Sequence, residues 1–353
     1  MHGGKKSRIS MVDFVRFACA IGILLHHFFL FFWVDEANLG TQPRFRSGFI
    51  IVEIFLIIAG YFAAAHFKKK RTGPQTIESR FKASVKYTLN KFKGFMPYVV
   101  IAIIIGLTYN LISHDFNLKN VVSELEKLPQ ELLLGSGNSE YFSRGTHVGP
   151  LWYLSHLFFV FPIFCTLATS KKKYLRNWLY FVWISVYYTT QWTGSYVGTN
   201  GMVRIFVGLA AGQLLFDFVE YVKNKKIKTW VRVALQFVEI FCGYYLVSKM
   251  LCRGDIFRPV NRSFNTYNFV LAAWASLAII LAQKDYAHKI NSRFLSYLGK
   301  ISFPLYLFHA PIMLIFHHLT GGNLNFWLEL VISTSISITF SAVVFQIITK
   351  KKK

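Results

Sequence analysis

Ten stretches of mostly apolar residues, each near the length of one membrane crossing, run along the chain. They cover residues 11–33, 48–67, 95–113, 151–169, 178–192, 201–222, 230–251, 266–283, 296–318 and 326–349. About 20 apolar residues in a helix span the ~30 Å hydrocarbon core of a bilayer. A helix also satisfies its own backbone hydrogen bonds there, which an open strand cannot. The pattern therefore predicts an all-α, polytopic membrane bundle of about ten transmembrane helices. The fifth stretch is short and the seventh is interrupted by polar residues, so these two depart most from the pattern. The first lacks a small-residue cleavage site and is too long for the apolar region of a signal peptide, so it reads as a retained helix.

Composition agrees with this reading. Of the 353 residues, 54% are hydrophobic and 16% charged, against about 25% charged in a typical soluble domain. The 36 Phe and 18 Tyr exclude a disordered chain. The net charge of +24 raises the question of nucleic acid, and the placement of the charges answers it. With the N-terminus in the cytoplasm and the crossings alternating, 28 of the 40 Lys and Arg fall in inner segments and 8 in outer loops. This is the positive-inside bias. It places both termini in the cytoplasm and assigns the basic charge to topology and anionic lipid, with no nucleic-acid partner. The four cysteines, at 19, 165, 242 and 252, form no C-x-x-C, so neither a disulfide framework nor a cysteine metal site is expected.

Two connections exceed what a turn needs. The inner loop 68–93 is basic and carries Phe81, Val85 and Leu89 at helical spacing. It reads as an interfacial amphipathic helix feeding the third crossing, either as a lipid-facing anchor or as a site for a polyanionic cytoplasmic ligand. The outer loop 114–150 contains Glu124, Glu126, Glu131 and Glu140. It is long enough for a lid or an acceptor platform. No internal repeat is visible. The chain reads as one domain over 1–353, with no soluble domain expected after residue 349.

Ionisable residues inside a crossing are costly unless they are paired or face a cavity, so each is a functional candidate. Arg16 and His27 are 11 residues apart. That separation brings them within about 20° of one helix face and about 16–17 Å apart along the axis. Asp13 lies near the same stripe, at i,i+3 from Arg16, while His26 is rotated away by about 100°. Glu53 and His27 fall at similar distances from the outer ends of their crossings, where a carboxylate would orient an imidazole. Trp152 and Tyr153 open the fourth crossing and also suit an interfacial belt. Ser302, Tyr306 and His309 share one face of the ninth, where Pro304 removes a backbone donor and is expected to kink the helix.

Together these segments resemble the acyltransferase 3 family, integral membrane acyltransferases that O-acetylate cell-surface polysaccharides. Arg16 and His27 are similar to its Arg-x10-His pair. GFIIVEIFLIIAGYF resembles its second segment through Gly48, Val52, Phe55 and Gly60. LWYLSHLFFVFPIF and LGKISFPLYLFHAPI resemble its Trp-Tyr-Leu and Ser-Tyr-Pro-Leu-Tyr-Leu-x-His segments. Three departures stand out. Lys91 matches the first residue of the family's Arg-x-x-Arg but Gly94 replaces the second. Phe303 stands where Tyr is common, and Ala59 where Ser is common.

The resemblance implies a multi-pass bacterial plasma-membrane O-acyltransferase. Its expected reaction moves an acyl group, most often acetyl, from cytoplasmic acyl-CoA to a hydroxyl of an extracytoplasmic glycan or lipid-linked glycan precursor. A hydroxyl attacks a thioester only with help from a general base, and histidine suits that task. His27 is the expected base, with Glu53 and His309 in the same catalytic set. Arg16, Lys91 and Lys93 are expected at the CoA phosphates, and Trp152, Tyr153, Ser302 and Tyr306 at the substrate. No permanently bound cofactor or metal is expected. A separate envelope protein could replace the hydrolase-like module that larger members carry. A narrow polar tunnel is expected from Arg16 to His27 through the inner half of the bundle, walled by the stripe that they share and by the ninth crossing around Ser302, Tyr306 and His309, with Ala20 and Gly22 leaving room for the pantetheine arm. The competing readings are a transporter or flippase of lipid-linked glycans, which should show inverted repeats, and a structural or sensory membrane subunit.

Overall fold

The computed structural model describes residues 10–32, 51–68, 76–113, 118–134, 147–193, 201–222, 228–251 and 292–350. Ten helices and no strand occur among them: α1 (Ser10–Phe32), α2 (Val52–Lys68), α3 (Ile77–Ser113), α4 (Leu118–Leu132), α5 (Leu151–Ala168), α6 (Lys173–Thr193), α7 (Gly201–Val222), α8 (Thr229–Leu251), α9 (Arg293–Leu319) and α10 (Phe326–Lys350). Six of these, α1, α3, α5, α7, α9 and α10, are long and apolar enough to cross a membrane. Nine of the ten predicted crossings fall on helices. The remaining one, the eighth (266–283), lies outside the described residues.

Two features differ from the sequence reading. The basic segment does not form a separate helix lying along the interface. It continues into the third crossing as the 37-residue α3, about 55 Å long at 1.5 Å per residue. Gly94 and Pro97 lie at the junction of the two halves and are accommodated within the helix. The second difference is α4, an additional helix inside the loop 114–150.

The strongest packing pairs α2 with α7, α1 with α9, α9 with α10 and α3 with α5. In lipid, helices associate by close packing rather than by a hydrophobic drive, so small residues mark the seams. A side chain on Gly60 would run into the Leu209 carbonyl of α7. One on Gly212 would meet the backbone of Ile57 and Tyr61 in α2. The two helices run parallel, tied by Glu53–Arg204 at one end and Lys68–Glu220 at the other. α10 buries a stripe of Ser333, Ser337 and Ser341. The hydroxyls of Ser337 and Ser341 donate to the carbonyls one turn back, at 2.8 and 2.7 Å, so they need no partner across the seam. α9 begins at Ser292, whose hydroxyl accepts from the Leu295 N–H. It runs unbroken through Pro304 and Pro311.

Candidate active site

α1 and α9 lie side by side, and their packing brings together two histidines 282 residues apart in the chain. His27 Nδ1 is 2.8 Å from His309 Nε2. The other ring nitrogen of His309, Nδ1, lies 3.0 Å from the Leu305 carbonyl oxygen. A carbonyl only accepts, so His309 Nδ1 carries the hydrogen and His309 Nε2 accepts from His27 Nδ1–H. With its Nδ1–H given to His309, His27 has its ring lone pair at Nε2, and the Ile23 backbone also bonds the ring. An imidazole held in that form can take a proton at a defined atom, and His309 then stabilises the resulting cation. His309 is fully buried and His27 partly so. His26 is buried as well, its ring centroid 5.0 Å from that of His27.

Glu53 is not the group that orients His27. Its carboxylate binds the Arg204 guanidinium at both oxygens, 2.6 Å from Nε and 2.9 Å from the second nitrogen. That guanidinium also lies over the Trp152 ring, 5.3 Å from its centroid. Trp152 in turn touches His156, whose Nδ1 donates to the Trp152 carbonyl at 2.8 Å and whose ring fills the space beside Gly201. The carboxylate went to the nearest full charge because a fork-to-carboxylate pair satisfies both partners at once. Arg204 was not singled out in the sequence, although depth could have found it. It sits four residues into its crossing, matched to Glu53 in the same way that His27 was.

A cavity of about 180 Å³ lies between α2, α3 and α5, with α1 and α9 closing one side. Arg16 and Lys91 line it together. The Arg16 side chain is 30% exposed and lies 3.9 Å from Asp13, the pairing expected at i,i+3. Lys91 lies over the Tyr87 ring. Phe303 and Ala59, the two departures from the family pattern, are both in the wall. Lys93 is exposed and does not line the cavity, and no atom lies within 4 Å of where a Gly94 Cβ would be.

The cavity does not reach His27. On the side toward His309 its wall is Tyr306, against which Phe55 and Tyr153 pack at ring-centroid distances of 6.0 and 5.9 Å. Tyr306 belongs to both places: it lines the cavity, and its ring is 6.3 Å from that of His309. Its hydroxyl donates to the Pro150 carbonyl at 3.0 Å. The small residues expected to open a tunnel serve packing instead. Ala20 is fully buried among Leu24, Phe28 and Leu305, and Gly22 abuts the Ile51 side chain. Ser302 is also turned to its own helix, donating to the Gly299 carbonyl at 2.9 Å. Among the described residues no cluster of three or more His, Cys, Asp or Glu side chains could hold a metal ion.

A bundle of apolar helices with a buried imidazole pair, next to a cavity carrying two cations, describes a membrane-embedded transferase. The chain belongs to the acyltransferase 3 family: the family model described as an acyltransferase domain matches residues 9–346, nearly its whole length. No curated protein and no solved structure matches the chain. Membership establishes acyltransferase activity as the class of function and sets aside the transporter reading.

Proposed function

We propose that the protein transfers an acetyl group from cytoplasmic acetyl-CoA to a hydroxyl of an extracytoplasmic glycan or its lipid-linked precursor. The observation that carries the reading is the His27–His309 bond, which leaves a basic nitrogen at His27 Nε2. The acceptor hydroxyl gives its proton to that nitrogen as its oxygen attacks the thioester carbonyl. The C–S bond then breaks, and the sulfur leaves as the CoA thiol once a proton returns to it. Arg16 and Lys91 at the cavity supply the charge that CoA phosphates need, and the apolar wall suits the pantetheine arm. Phe55, Tyr153 and Tyr306 stand between that cavity and the imidazole pair, so transfer includes a step in which this partition opens. On this reading both termini lie in the cytoplasm and the membrane is a bacterial plasma membrane, as the positive-inside bias supports for the termini.

Purified protein with labelled acetyl-CoA and extracted surface glycan tests the reading. Wild type should move label to glycan. His27→Ala should abolish the transfer at unchanged folded yield, a loss of about 10²–10⁴ in rate, while His26→Ala keeps most of it. Arg16→Lys retains charge but loses the planar fork, so it should raise KM for acetyl-CoA and leave that for the acceptor unchanged. Equal loss in the two histidine variants would remove the assignment of the base.

A further inference from the structure

Glu131 and His147 touch neither the imidazole pair nor the cavity, yet both side chains are fully buried. His147 Nδ1 is 2.7 Å from one Glu131 oxygen, and the His147 backbone N–H donates to the other. On the opposite edge of the ring, Nε2 is 3.1 Å from Glu124. The Glu124 carboxylate also accepts from Asn110 at 2.8 Å and Lys127 at 2.7 Å. Burial alone would raise the Glu124 pKa, but these bonds outweigh it and hold the group below the ordinary carboxylate range. Hydrogen bonds from Asn110, Lys127 and the His147 backbone and ring leave both buried carboxylates with partners, which makes the cluster's burial tolerable. From the third side, α3 fits Gly106 against the His147 carbonyl with no room for a side chain.

What this clamp fixes lies three residues on. Pro150 presents the carbonyl that accepts the Tyr306 hydroxyl, and Tyr306 is the residue shared by the cavity end and the imidazole pair. A second tie acts alongside: Ser155 in α5 donates to the carbonyl of Leu134, just past α4, where φ is +56°. We infer that the Glu131–His147 clamp is a latch holding the Pro150 carbonyl and, through it, the Tyr306 ring as a partition between donor cavity and imidazole pair. Glu131 and His147 are thus positioning residues, and α4 is the lever that an acceptor arriving beside it would move. The inference rests on reading the cavity as the donor site.

The test uses full-length protein in membrane vesicles with Glu131→Gln, His147→Gln and Tyr306→Phe. Tyr306→Phe keeps the ring and removes only its anchor. Three quantities are measured without acceptor: binding of acetyl-CoA, its hydrolysis to acetate and CoA thiol by water, and the rate at which diethylpyrocarbonate modifies His27. A loosened partition should raise hydrolysis at least about threefold by populating the open state. It should speed His27 modification alike, with the Kd for acetyl-CoA within about twofold of wild type. Wild-type rates in all three variants would overturn the latch. So would a parallel fall of binding, hydrolysis and folded yield, which marks a merely structural cluster. A wild type that binds and consumes no acetyl-CoA counts against the donor reading instead. The latch is then decided by His27 modification alone, which is faster in the variants if it exists and unchanged if it does not.

Discussion

His309→Ala removes the acceptor of the His27 Nδ1–H bond, 2.8 Å long in the structure, and leaves intact the ring that takes the proton. The size of the effect follows from the change in charge during transfer. Before the step the bond joins two neutral imidazoles and contributes about 0.5–1.5 kcal/mol; with His27 as a cation it becomes charge-assisted, at about 1.5–3 kcal/mol. The excess of about 1–1.5 kcal/mol acts only in the transition state, and it corresponds to roughly five- to tenfold in rate. The expected outcome is a kcat lowered about five- to tenfold. KM for acetyl-CoA should hold, because His309 does not line the cavity. His309→Gln offers a carbonyl in place of Nε2 and should recover part of the loss. The double variant with His27→Ala should be no slower than His27→Ala alone, since His309 acts through His27. Steady-state kinetics with labelled acetyl-CoA, normalised to folded protein, read all four variants. A His309→Ala enzyme with kcat within about twofold of wild type, or a double variant that multiplies the single losses, would refute the relay.

Three further outcomes follow from the geometry. Glu53→Gln and Arg204→Met should each destabilise the protein by about 3–5 kcal/mol, because each removes one partner of a largely buried ion pair. The paired change to Gln and Met should cost much less, as thermal unfolding in detergent would show; additive losses would mean the two side chains are not coupled. Gly94→Arg places a second cation one helical turn from Lys91 in space that the structure leaves open. It should lower KM for acetyl-CoA without a stability loss, and an unchanged KM would remove Lys91 from the donor site. Ser302→Ala should retain near wild-type kcat and KM, because the hydroxyl is spent on the Gly299 carbonyl; a large rise in acceptor KM would instead put Ser302 at the substrate.

Much of this protein was legible along the chain. Apolar length against bilayer thickness is a local quantity, so the crossings at α1, α5, α7, α9 and α10 could be read without knowing their neighbours. Helical spacing likewise put Arg16 and His27 on one face, since both belong to α1. α4 escaped notice because its sequence is not apolar overall. It is held by side chains from elsewhere, at its middle by Asn110 of α3 and at its C-terminal end by His147 from the segment leading into α5.

Choice of partner was not local. Depth allowed Glu53 either His27 or Arg204. The parallel packing of α2 on α7, set by Gly60 and Gly212, gave it the arginine, while the packing of α1 on α9 gave His27 to His309. The same holds for the cavity. A stripe on one helix says which side chains point the same way, but not what fills the space in front of them. Here Phe55, Tyr153 and Tyr306, from three different helices, close the line toward His27. Sequence determined which groups could meet at a given depth, because depth follows from hydrophobic length. The tertiary structure decided which did, because pairing and closure depend on the rotation and close approach of whole helices.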